Sequence, residues 1–115
     1  MADAQLYVNP ACSKCRTAQA ILAESGVAVE EIRYLDQPPT VASLRRLMEL
    51  LGIDDPRAMM RTQEPEFAEL GLDGAPADRL LEAITTHPIL LERPIFVRGE
   101  RAVIGRPPER LAELL

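Results

Sequence analysis

Gln5-Leu6-Tyr7-Val8-Asn9-Pro10-Ala11-Cys12-Ser13-Lys14-Cys15-Arg16 is the stretch that decides the fold. Leu6, Tyr7 and Val8 give Gln5–Asn9 the β-propensity of a short strand. Pro10 stops it, because proline has no N–H to donate to a sheet ladder. From Ser13 the period changes. Cys15, Ala18, Ile21 and Leu22 fall on one face of a helix, and Gly26 is its natural stop. Val27–Leu35, carrying Val29, Ile32, Tyr34 and Leu35, reads as a second strand. A strand, a helix and a strand within about 30 residues make a βαβ unit, which requires parallel pairing.

Working outward, Pro38-Pro39-Thr40 reads as a turn with Thr40 as an N-cap. Val41, Leu44, Leu47, Met48 and Leu51 then form one helical face that ends at Gly52. Two shorter helical pieces are expected near Pro56–Arg61 and Glu64–Leu70. A further helix is expected with Asp78 as N-cap and Leu80, Leu81 and Ile84 inward, ending near His87-Pro88. Strands return at Pro94-Ile95-Phe96-Val97 and Arg101-Ala102-Val103-Ile104. They flank Arg98-Gly99-Glu100, a loop short enough for an antiparallel hairpin. Pro107-Pro108-Glu109 opens a last amphipathic helix with Leu111, Leu114 and Leu115. The order βαβ, helices, ββα predicts an α/β protein with a mixed four-stranded sheet. The chain is read as one domain, residues 1–115, with a helical insertion at about 40–87.

The composition of the 115 residues, 47% hydrophobic and 27% charged, is that of an ordinary globular domain. Aromatic residues are only 3%, so Leu, Ile, Val, Ala and Met must build the core. A net charge of −5 argues against a nucleic-acid surface spread over the protein. The first residues carry neither a basic n-region nor an apolar h-region, so no signal peptide is expected. No apolar run approaches the roughly 18 residues of a membrane span. A cytoplasmic protein without a membrane partner is the expectation.

Cys12 sits where a strand turns into a helix. Unpaired N–H groups and the helix dipole there favour an anion, so the thiol loses its proton more easily. The same N–H groups can cradle an oxyanion beside the sulfur, and Lys14 and Arg16 add positive charge. The competing role for any free cysteine is burial as a small apolar group. Cys15, one helical turn on, is a candidate resolving thiol that could close a Cys12–Cys15 bridge; it could equally be an apolar filler on the inner face. A structural zinc site needs four ligands. His87 is the only other Cys or His, so Cys and His alone cannot assemble one, and no bound metal is expected.

The chain also resembles the glutaredoxin-coupled arsenate reductase (ArsC) family, in its compact branch, almost from end to end. The residues that carry the likeness are Tyr7, Asn9-Pro10-Ala11-Cys12, Arg16, Tyr34-Leu35, Pro38-Pro39, Met60-Arg61, Glu64-Pro65 and Glu69-Leu70-Gly71-Leu72. They continue through His87-Pro88-Ile89-Leu90, Glu92-Arg93-Pro94-Ile95 and Gly105-Arg106-Pro107-Pro108-Glu109. The resemblance implies a thioredoxin-like fold and arsenate reduction to arsenite. It implies Cys12 as nucleophile, with Arg61, Arg93 and Arg106 binding the substrate oxyanion. Glutathione is implied as thiol co-substrate and glutaredoxin, or thioredoxin, as electron donor, with no bound cofactor. Paired guanidinium hydrogen bonds suit a tetrahedral oxyanion. A lone arginine is otherwise a surface or ion-pair residue, and Arg61 has Glu64 three positions on. Arg93 and Arg106 each precede proline beside a predicted strand, and Arg93-Pro94 is similar to the cis-proline that thioredoxin-like folds set opposite their cysteine.

Two positions depart from the family. Val8 stands where well-studied members have a histidine, and Cys15 where they often have serine. A redox-sensing transcriptional regulator of the Spx type, binding RNA polymerase, is the alternative from another class; a thiol reductase for another substrate is a third. Cys15 favours the regulator, whereas Gly105-Arg106-Pro107-Pro108 resembles the reductase pattern.

Overall fold

β1 (Ala4–Val8) and β2 (Val29–Arg33) pair in parallel, joined by α1 (Ser13–Ser25), so the βαβ unit forms as its sequence requires. This computed structural model describes residues 4–115; residues 1–3 of the expected domain lie outside the described residues. Two compact units are distinguished, Met1–Tyr34 with Arg93–Leu115, and Leu35–Glu92.

In the first unit β3 (Ile95–Arg98) lies antiparallel to β1, and β4 (Arg101–Ile104) antiparallel to β3. The sheet order is β2-β1-β3-β4. β1 alternates as a strand must, burying Ala4, Leu6 and Val8. These pack with Cys15, Ala18 and Leu22 of α1 and with Phe96, Val103 and Leu111. Ile95, Phe96 and Val97 are all buried, the mark of a strand covered on both faces. β2, at one sheet edge, leaves Glu30, Glu31 and Arg33 exposed, and charges on an edge discourage pairing with another chain. It is shorter than the expected Val27–Leu35 because β1 offers no partner beyond Val8, which faces Arg33. Tyr34 then leaves the ladder and is buried.

The C-terminal segment is a 3₁₀ helix, Pro108–Leu114, where an amphipathic helix was expected. Pro108, Leu111 and Leu114 recur every third residue, and side chains at i and i+3 eclipse in a 3₁₀ helix. Pro108 and Leu111 are accordingly buried in one line.

The second unit holds α2 (Val41–Leu51), α3 (Pro65–Glu69), α4 (Ala77–Thr86) and 3₁₀ turns at Pro56–Met59 and Pro88–Leu90. Thr40 caps α2 as expected, its hydroxyl accepting from Ser43 N at 3.1 Å, and Gly52 ends it in the left-handed conformation at φ 71°. α4 packs against α2 and both 3₁₀ turns. The cap of α4 is Pro76, not Asp78. Asp78 falls within the first turn, where its carboxylate meets the positive end of the dipole and pairs with Arg45. The piece expected over Pro56–Arg61 ends early because its backbone finds other partners. Met60 bridges Leu91, and Arg61 N donates to Leu90 O at 2.7 Å. No helix among the described residues is long and apolar enough to cross a membrane.

Candidate active site

The turn between β1 and α1 is built by Asn9. Its side-chain carbonyl accepts from Ala11 N at 3.1 Å, and its backbone carbonyl from Cys12 N at 2.9 Å. An asparagine that bonds its own chain two residues on is a turn former. Cys12 follows in extended conformation (φ −89°, ψ 127°) as the N-cap of α1, its carbonyl accepting the first helical bond from Arg16 N at 3.1 Å. In that place a serine or aspartate oxygen would accept from the helix N–H groups. Here a sulfur stands before them.

The electrostatics follow from this placement. Burial pushes the Cys12 thiol up. The N–H of Cys15, the Arg93 guanidinium, the Cys15 thiol and the N–H of Lys14 outweigh it and lower the pKa to about 7. Lys14 thus acts through its backbone, while its side chain and that of Arg16 are exposed. Cys15 behaves oppositely. It is fully buried, and its sulfur accepts from Asn9 N at 3.4 Å. Burial first, and then the neighbouring Cys12 charge, raise it to about 11 despite that bond. At neutral pH Cys12 is substantially thiolate and Cys15 a thiol.

Arg93 and Arg106 stand at the strand ends where binding groups gather in α/β folds. The peptide bonds Arg93-Pro94 and Arg106-Pro107 are both cis, the first at the position that resembles the cis-proline of thioredoxin-like folds. Arg106 Nε donates to the Arg93 carbonyl at 2.8 Å. Gly105 N donates to Pro94 O at 2.8 Å, tying the two segments together. The Arg93 guanidinium lies against the Cys12 sulfur and the Tyr34 hydroxyl. Its Nε and Nη1 are buried and meet no acceptor within hydrogen-bonding distance among the described residues. Such donors suit an anion that arrives from outside.

The structure therefore gathers Cys12, Cys15, Arg93 and Arg106 in the first unit. Arg61 lies in the second, where Nε and Nη2 each sit 2.8 Å from Glu64 Oε1 and Nη1 sits 4.0 Å from Glu92. Val8, at the family's histidine position, is a buried core residue. His87 caps the end of α4, with Nδ1 2.9 Å from the Thr86 hydroxyl. Among the described residues, no group of three or more His, Cys, Asp or Glu could hold a metal ion.

Sequence reasoning gave Tyr34 no part in the site. The available signal was its position just past the C-terminal end of a parallel strand. Gly105 was also missed: a Cβ there would meet Leu111 Cδ1 at 2.7 Å and Pro94 Cγ at 2.9 Å, so only glycine lets the Arg106 segment approach Pro94.

A mixed four-stranded sheet with a low-pKa cysteine opening the helix after its first strand defines the thioredoxin-like class of thiol proteins. The chain belongs to the ArsC family, whose model matches residues 7–114. The arsenate reductase of Neisseria meningitidis is 42% identical over 117 aligned positions spanning the whole of both chains. That of Haemophilus influenzae is 41% identical over 96% of this chain and 97% of its own. The solved structure of an arsenate reductase from Vibrio cholerae superposes with a TM-score of 0.94 at 43% identity, covering 97% of each chain.

Proposed function

We propose that this protein is an oxidoreductase of the arsenate reductase type, with Cys12 as its nucleophile. The observation that carries the reading is the Cys12 thiol, lowered to about 7, beside an Arg93 guanidinium with two buried donors unmatched by protein acceptors. Full-length relatives named arsenate reductase support the substrate.

Arsenate is a tetrahedral oxyanion. Arg93 and Arg106 bind it through charge-assisted hydrogen bonds, and the N–H groups opening α1 face the same sulfur. The Cys12 thiolate attacks arsenic and an arsenate oxygen leaves as water, giving an S–As(V) bond. A thiolate, that of glutathione, then attacks the Cys12 sulfur. The S–As electron pair stays on arsenic, which falls from As(V) to As(III) and leaves as arsenite, while Cys12 becomes a mixed disulfide. Glutaredoxin, or thioredoxin, restores the thiol. The chemistry needs a reducing compartment, and we place the protein in the cytoplasm.

Cys15 answers for two departures from the family pattern. Val8 cannot donate to the Cys12 sulfur, whereas the neighbouring Cys15 thiol helps to lower the Cys12 pKa. Once Cys12 is in a mixed disulfide its negative charge is gone, and one of the effects raising Cys15 goes with it. Cys15 then becomes a better nucleophile and can displace the bound thiol to form a Cys12–Cys15 disulfide.

The test is a coupled assay of reduced protein with arsenate, glutathione, glutaredoxin and an NADPH-dependent reductase. NADPH consumption should require arsenate and vanish in Cys12→Ser. Arsenate-independent consumption, or none with glutaredoxin and thioredoxin both tried, overturns the assignment.

A further inference from the structure

Asn9 follows β1 and meets both cysteines through its main chain. Its carbonyl accepts from Cys12 N at 2.9 Å, and its N–H donates to the Cys15 sulfur at 3.4 Å. Its side-chain carbonyl accepts from Ala11 N at 3.1 Å, which fixes the turn between the two contacts. A main-chain N–H ordinarily pairs with a carbonyl oxygen. Here the acceptor is sulfur, which accepts weakly as a thiol and strongly as a thiolate. The bond therefore contributes little while Cys15 is neutral and most when it carries charge. Cys15 is fully buried, where a charge without a donor is costly. A donor already aimed at the atom where charge develops speeds a step without reorganisation.

Cys12 is the N-cap of α1 and Cys15 its third residue, the position that an N-cap side chain reaches. We propose that Asn9 serves the resolving step: its main-chain N–H takes up the negative charge of Cys15 as that sulfur attacks the Cys12 mixed disulfide, and its side chain holds the turn that aims the donor. In that step Cys15 gives its proton to solvent and its thiolate attacks the Cys12 sulfur. The Cys12–Cys15 bond forms, the bond from Cys12 to glutathione breaks, and glutathione leaves as a thiolate that water protonates. Two thiol sulfurs exchange places in a disulfide, so no further oxidant or reductant is needed. All the groups involved belong to one unit of the fold. The proposal rests on the reading of Cys15 as the resolving thiol, but it does not depend on arsenate.

The experiment times bridge closure. Reduced protein is mixed with oxidised glutathione and quenched in acid at intervals, and mass spectrometry follows the Cys12 adduct as it gives way to the Cys12–Cys15 bridge. Asn9→Ala removes the side-chain acceptor of the turn, while Pro10 keeps the backbone before it extended. Closure should slow roughly tenfold, the scale of one hydrogen bond to a charged group. Asn9→Ser should recover part of the rate, since a serine hydroxyl makes the same turn more weakly. In a Cys15→Ala background, where no bridge can form, dithiothreitol should cleave the Cys12 adduct equally fast with and without Asn9→Ala. Closure at the original rate in Asn9→Ala, no recovery in Asn9→Ser, or an equal slowing of the dithiothreitol step overturns the proposal. An unsubstituted protein that never closes the bridge overturns the resolving role of Cys15 itself, and the proposal with it. A second readout leaves Asn9 in place: by NMR, its N–H should exchange with solvent roughly tenfold faster in Cys15→Ala than in the unsubstituted protein. Equal exchange overturns the proposal as well.

Discussion

Arg106 donates through Nε to the backbone carbonyl of Arg93 at 2.8 Å, so one arginine of the site is fastened to the backbone of the other. The planar guanidinium fork makes this possible: one edge grips protein while charge remains for a ligand. Lysine cannot reproduce it. Arg106→Lys should lower kcat/KM for arsenate roughly tenfold to a hundredfold, the scale of one lost hydrogen bond from a charged donor. Steady-state kinetics measure this. Activity like that of the original protein would mean that the site needs only the charge.

Cys12 should alkylate with a midpoint near pH 7, where an ordinary cysteine sits near 9. The linkage has a definite sign. A thiol whose folded pKa is depressed adds stability that is fully present above the unfolded pKa and is lost as pH falls through the folded one. Stability should therefore rise between about pH 7 and pH 9, and Cys12→Ser should flatten that rise. Cys15, raised to about 11, works the other way, costing stability between about pH 9 and pH 11, and Cys15→Ser should relieve that loss. Urea denaturation across this range reads both effects.

Gly105→Ala should destabilise the protein by about 1–3 kcal/mol, the usual cost of overpacking. The added methyl meets Pro94 at 2.9 Å and Leu111 at 2.7 Å, and Pro94 adjoins Arg93. A fall in melting temperature with a slower Cys12 alkylation at pH 6 would report both consequences. A variant as stable as the parent would show that the Pro94 and Leu111 side chains can yield freely.

Mild oxidation should convert the reduced protein to an intramolecular Cys12–Cys15 disulfide, visible by mass spectrometry as a loss of two hydrogens. In the presence of oxidised glutathione, an adduct on Cys12 should form and then disappear as the bridge closes. An adduct that persists, with no bridge, would count against Cys15 as the resolving thiol.

The features legible from sequence were those decided by near neighbours. The strand before Pro10, the α1 stripe of Cys15, Ala18 and Leu22, the Thr40 cap and the Gly52 stop each depend on a few adjacent residues. The hairpin around Gly99 was legible for the same reason. Asp78 misled because caps are chosen by backbone conformation, and Pro76 is already extended where the helix begins. The final helix misled because three apolar residues at spacing three suit both a short amphipathic α-helix and a 3₁₀ helix. Cys12 was visible from its place before a helix. The Arg106–Arg93 bond, the buried Tyr34 hydroxyl and the close packing of Gly105 on Pro94 were not, since each joins segments that meet only when the sheet is assembled.

The most direct test is a single turnover followed by arsenic speciation, independent of any coupling enzyme. Reduced protein in excess over arsenate, with glutathione, should convert arsenate to arsenite, and Cys12→Ser should give no more than glutathione alone. Equal arsenite from Cys12→Ser would contradict the account. So would no arsenite from unsubstituted protein whose Cys12 alkylates with a midpoint near 7.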